Sequence, residues 1–211
     1  MAKYSDGVLG SIKGKIGPVV GSSWKDIPYL RSSSISVQKQ LSQGQLVQQA
    51  KFALVSKFIH SISKMLESCY PATGKMTGTN NAFSRVYHHA ITREYPHLEL
   101  DGSRILVSLG ELHNGGAPSV VATGNGQVQF SWADNSDGLM ALKDDRSVPL
   151  LYCPGLKQSI YTLSGAPRNA GTCSLDAKAF RGKEVDTWIS FRSAVGMLAA
   201  SSIYTGKLAV Q

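Results

Sequence analysis

Glycines fall at positions 7, 10, 14, 17 and 21 of the stretch GVLGSIKGKIGPVVGSSWKDIPYLRS, among Lys13, Lys15, Lys25 and Arg31. Unhindered backbone N–H groups beside cations are the chemistry of phosphate binding, and Trp24 and Tyr29 offer faces on which nucleobases stack. Glycine also lets two backbones approach closely. The same stretch therefore suits strand addition to a neighbouring sheet, through Gly14, Gly17, Val19, Val20, Gly21 and Tyr29. A helix is disfavoured, because each glycine costs about 1 kcal/mol there and Pro18 interrupts it. Extended chain with tight turns, forming one or two edge strands, is expected.

A second set of cations lies on helical spacing. Lys57 and Lys64 share a face with His60, and Arg85, His89 and Arg93 are each four apart. They predict a further electropositive surface for nucleic acid. Catalytic patterns do not assemble. GSIKGK lacks the length and the Ser/Thr of a phosphate loop. His88 and His89 are adjacent on a helix and point roughly 100° apart, so they do not chelate as a pair. HNGG at His113–Gly116 has no G-x-S-x-G partner, and DNSDG at Asp134–Gly138 misses calcium-loop spacing. The sequence predicts no enzyme, no metal and no cofactor.

The 211 residues suffice for a buried core, with 42% hydrophobic but only 17% charged residues, a balance that suits β-rich surfaces which associate. Net charge is +8; residues 1–100 carry 12 Lys/Arg against 5 Asp/Glu, and residues 101–211 carry 10 against 9. Expected acidic partners, DNA or RNA among them, thus belong to the N-terminal half. Cys69, Cys153 and Cys173 are too few and too scattered for a disulfide framework or zinc site, although Cys153 and Cys173 can still pair. No secretory leader and no membrane span is legible. The expected location is the cytoplasm on synthesis, with a virion or an extracellular assembly reached by a non-classical route.

Three segments must position these residues. Residues 1–42 form a Gly/Ser/Lys-rich extended arm. Residues 43–96 read as two helices. The first runs from near Gln45 to Ser68 on the stripe Leu46, Ala50, Leu54, Phe58, Ile62 and Met65, widened by Val47, Phe52, Ile59 and Leu66. The second starts after a cap at Thr79 or Asn80, carries Phe83, Val86, Tyr87, Ala90 and Ile91 inward, and stops at Pro96. Residues 97–211 break into candidate strands: SRILVSLGEL, PSVVATG, QVQFSWAD, VPLLYCP, QSIYTLSG, GTCSLDAKAF, DTWISFRS and SIYTGKLAV. Gly124-Asn125-Gly126 marks a hairpin, and Val128, Phe130 and Trp132 alternate with polar residues. The expected fold is α+β: an extended arm and two helices, then an antiparallel immunoglobulin- or fibronectin-III-like β-sandwich. Its core is expected to hold Val128, Phe130, Trp132, Leu151, Tyr161, Trp188, Ile189 or Phe191, and Tyr204.

GKIGPVVGSSWKDIPYLRS, QKQLSQGQLVQQAKFALVSKFI and SIYTGKL resemble an uncharacterised family of Bacteroidota proteins of about this length, over nearly the whole chain. The resemblance implies an N-terminal Gly/Lys/Trp segment coupled to helices and a β-sandwich, and no active site or substrate. Two functions fit the residues. One is a self-assembling structural protein, such as a virion, nucleoprotein or filament subunit, whose basic half contacts nucleic acid or an acidic neighbour. The other is an immunoglobulin-like module whose loops bind a carbohydrate or protein.

Overall fold

A computed structural model describes residues 3–4, 10–33, 40–136, 138–194 and 198–211. The chain divides into two compact units, residues 1–42 and 43–211.

The first unit is a sheet of four antiparallel strands in sequential order: β1 (Lys3–Tyr4), β2 (Ile12–Ile16), β3 (Val19–Trp24) and β4 (Ile27–Ser32). It exceeds the expected one or two edge strands, because the glycines bend a strand as well as end it. Gly14, at φ 114°, bends β2 so that Ile12 and Lys13 pair with β1 while Gly14–Ile16 pair with β3. Gly21 serves close approach: a Cβ there would lie 2.0 Å from the Ile12 carbonyl oxygen. Gly7 lies outside the described residues. Lys25 and Asp26, both at positive φ, make the two-residue turn between β3 and β4.

In the second unit the helical segment is α1 (Gln43–Ser61), α2 (Ser63–Cys69) and α3 (Gly78–His89). The long first helix expected from the stripe breaks at Ile62, which has φ −119° and ψ 16°. The cap of α3 is Thr77, whose hydroxyl accepts from the Asn80 backbone N–H at 3.3 Å, in place of the expected Thr79 or Asn80. After His89 the chain leaves the helix, and Ile91–Thr92 (β5) pairs with Glu99–Leu100 (β6).

Seven further strands follow: β7 (Gly116–Gly124), β8 (Gln127–Ala133), β9 (Arg146–Cys153), β10 (Gln158–Tyr161), β11 (Thr172–Asp176), β12 (Glu184–Arg192) and β13 (Ile203–Ala209). They form two antiparallel sheets, ordered β11-β8-β7 and β10-β9-β12-β13. Gly124 pairs with Gln127 around Asn125-Gly126, both at positive φ, so the hairpin lies where the sequence marks it. In β9 and β12 alternate residues enter different cores. Val148, Leu150, Tyr152 and Trp188 pack with Phe58, Ile62 and Val86 of the helical segment. Leu151, Cys153, Ile189 and Phe191 pack with Phe130, Trp132 and Leu175 of the other sheet. The four-stranded sheet is therefore a middle layer covered on both faces.

The expected core residues are buried, apart from Tyr161 and Tyr204, which are half-buried against the helix-side core. Phe52 is 57% exposed instead of widening the helix stripe. SRILVSLGEL is not a strand. A single helical turn at Gly102–Arg104 is followed by irregular chain. There the Val107 backbone N–H donates to the Ser202 hydroxyl at 2.9 Å, and the Ser108 hydroxyl donates to the Ala200 carbonyl at 2.8 Å. Side-chain hydroxyls satisfy backbone that a ladder would otherwise hold. The three cysteines are free and buried, so Cys153 and Cys173 do not pair.

Candidate assembly surface

Strand register sorts the arm residues by face, because directly opposed residues project to the same side. Lys15, Val20 and Arg31 are opposed across β2, β3 and β4, and Ser22–Tyr29 and Trp24–Ile27 continue the same face. Ile16–Val19, Gly14–Gly21 and Gly21–Leu30 define the other face. Of the residues expected to contact nucleic acid, Lys15, Trp24 and Arg31 thus share one face, Lys25 sits at the turn, and Lys13 lies beyond the bend. Of the residues expected to mediate assembly, Gly14, Val19 and Gly21 lie on the opposite face, Val20 and Tyr29 join the cations, and Gly17 occupies a turn.

Both faces carry exposed large apolar side chains among the described residues. On the first, Trp24 is 70% and Ile27 68% exposed; on the second, Leu30 is 61% exposed. Monomeric proteins scatter single exposed apolar residues, but a cluster on one small sheet marks an interaction surface. Lys13, Lys15, Lys25 and Arg31 are all exposed.

The helical cations are less unified than their spacing predicts. Arg85 and His89 stay on α3 and are exposed. Arg93 leaves the helix at φ 60° and forms an exposed ion pair with Glu99 at 2.8 Å. Lys57 and Lys64 are exposed on α1 and α2, on either side of the Ile62 break.

Two features escape sequence reasoning. Arg168 and Asp145 form an ion pair at 3.1 Å with both side chains fully buried. The guanidinium also donates to the His113 carbonyl and to Asn135 Oδ1, and lies 4.4 Å from the Phe191 ring centroid. It ties together three loops that meet near the start of β9. The second feature is a groove of about 520 Å³ lined by Tyr70, Leu109, Leu198, Glu67 and Glu111 among others. The Tyr70 hydroxyl is buried without a hydrogen-bond partner among the described residues. Burial raises the pKa of Tyr70, with Arg85 opposing it, and raises that of the adjacent Cys69 thiol, with Arg192 opposing it.

Among the described residues, no three His, Cys, Asp or Glu side chains are grouped to hold a metal ion, and no helix is long and apolar enough to cross a membrane. The class is thus an α+β protein with an N-terminal four-stranded antiparallel sheet and a body of three helices with two larger sheets and one two-stranded sheet among the described residues. Residues 11–206 match a family described as "Family of unknown function (DUF6266)", and the chain belongs to that family. The match includes the arm from Ser11 onward. No curated protein and no solved structure matches the chain.

Proposed function

We propose that this is a non-enzymatic structural protein that self-assembles through its N-terminal arm, with the arm cations meeting acidic neighbours, nucleic acid included. The observation that carries it is the exposure of Trp24, Ile27 and Leu30 on a single-layer sheet. Burying each such side chain against a partner is worth roughly 1.5–3 kcal/mol, which offsets the entropy of ordering a glycine-rich segment. Sedimentation velocity of the full chain over a concentration series tests it. Concentration-dependent oligomers that Trp24→Ser/Leu30→Ser reduces to monomer support the reading, and a wild type that stays monomeric removes it. If nucleic acid is the acidic neighbour, Lys15→Gln/Arg31→Gln lowers the slope of log K against log salt by about two units.

The body supports a second reading. Of the seven strands β7 to β13, the first, second and fifth form one sheet and the remaining four the other, which fits a sandwich of the immunoglobulin or fibronectin-III kind. Leu139, at 82% exposed, and Leu142 lie on the loop that Asp145 closes, so loop-borne recognition of a protein or carbohydrate is the alternative. Loss of binding on Leu139→Ser, with oligomerisation intact, favours that alternative.

A further inference from the structure

The assembly reading leaves open what the arm docks onto. We infer that the β3–β4 turn of one copy, with Trp24, Lys25 and Ile27, seats in the groove of a second copy beside Tyr70, Glu67 and Glu111. The inference rests on the assembly reading and adds the receiving surface.

Three observations point to this pairing. The groove, of about 520 Å³, is lined wholly by the body and is partly apolar through Leu109 and Leu198, the latter 54% exposed. Its carboxylates, Glu67 and Glu111, are exposed, and neither belongs to an ion pair among the described residues. In a chain of net charge +8, unpaired acids beside an apolar groove suit a cationic, apolar guest. The buried Tyr70 hydroxyl, without a partner among the described residues, can be satisfied by a backbone carbonyl arriving with the guest.

The β3–β4 turn itself carries Lys25 beside Asp26, and the described arm around it is cationic, with Lys3, Lys13, Lys15, Lys25 and Arg31 against that one acid. Trp24 and Ile27 are directly opposed on one face and are the most exposed large apolar residues among the described residues of the arm. Lys25 and Asp26 stand between them at the turn, and Lys25 is exposed and belongs to no ion pair among the described residues. A large aromatic seated in a pocket with a charged rim has the composition of an interface hot spot. A turn-to-groove contact joins two different surfaces, so each copy offers one of each and growth continues into a ring or filament.

Complementation between two full-length variants tests it. Trp24→Ser/Ile27→Ser removes the guest, and Glu67→Lys/Glu111→Lys removes the charge of the host; all four positions are exposed, so both variants fold. Each is expected to raise the self-association Kd roughly thirty-fold or more. An equimolar mixture restores one competent turn and one competent groove, so it sediments as a heterodimer and grows no further. Lys25→Glu added to the Glu67→Lys/Glu111→Lys chain restores oligomers. If the host variant keeps wild-type oligomers while the guest variant is monomeric, the arm assembles but the groove is not its receptor. If nuclease dissolves the oligomers, nucleic acid bridges the copies and the groove assignment is overturned. A monomeric wild type overturns the assembly reading itself.

Discussion

In residues 43–211, Phe58, Phe130 and Phe191 are fully buried and Trp188 is 1% exposed, whereas in the arm Trp24, Ile27 and Leu30 are 70%, 68% and 61% exposed. Both regions are antiparallel β-structure with alternating apolar residues. They differ in layers. The body stacks helices, a four-stranded sheet and a three-stranded sheet, so β9 and β12 find an apolar partner on each face. The arm is one sheet in which glycine and serines are mixed with a few large side chains. A single layer cannot hide them. The comparison teaches that layering covers the large apolar side chains of the body and leaves those of the arm exposed, and completion of the arm by association is the proposal that the following tests address.

The largest way to break the contrast is in the body. Arg168→Ala leaves Asp145 buried without its cation, and a loss of about 3–5 kcal/mol is expected. Chemical denaturation checks it. Arg168→Met combined with Asp145→Leu removes both charges and recovers most of the loss, while the arm strands keep their exchange behaviour.

Gly21→Ala attacks the arm alone. Its methyl meets the Ile12 carbonyl, and overpacking of this kind costs about 1–3 kcal/mol. The expected result is loss of oligomers with an unchanged body melting temperature, read by calorimetry and sedimentation together.

Asp186 sharpens the body's side of the comparison. Burial raises its pKa above the ordinary carboxylate value, against the lowering effect of the Tyr204 hydroxyl that donates to it at 2.7 Å. A raised carboxylate pKa means the folded state favours the neutral acid. Its stabilisation is therefore full below the unfolded pKa and is lost as pH rises through the folded pKa. The melting-temperature difference between Asp186→Asn and wild type should then grow in the variant's favour as pH rises from acid to neutral. A flat difference contradicts the assignment.

The smallest effect belongs to Asp26→Gly. Asp26 sits at φ 63°, a conformation glycine adopts without strain, so the arm hairpin gains about 0.5–1 kcal/mol. Amide exchange of β3 and β4 slows slightly while that of the body does not change.

Much of the body was legible because one period governs each element. Alternation in QVQFSW marked β8, and Asn125-Gly126 marked its turn. Spacing alone misled where a local device intervened. The break at Ile62 divides one apolar stripe between two helices. Arg93 keeps the spacing of a helix face that has already ended at His89. SRILVSLGEL alternates like a strand, but the hydroxyls of Ser108 and Ser202 replace ladder hydrogen bonds. The groove and the Arg168–Asp145 pair were not legible at all. Glu67, Tyr70 and Glu111, or Asp145 and Arg168, are distant in sequence, and periodicity reports which side of an element is apolar, not which remote side chain it meets. In the arm, Gly21 lies against the Ile12 backbone of its own sheet while Gly17 has open space around it, so the even spacing did not assign one role to every glycine, and the sorting of cations and glycines onto opposite faces depended on register.

The most direct test of the central claim is hydrogen exchange of the full chain at two protein concentrations, one below and one above the onset of oligomers. Protection of the β2, β3 and β4 amides should rise with concentration while protection of β9 and β12 stays constant. Arm protection that is the same at both concentrations would contradict the account, because the arm would then owe its order to its own chain.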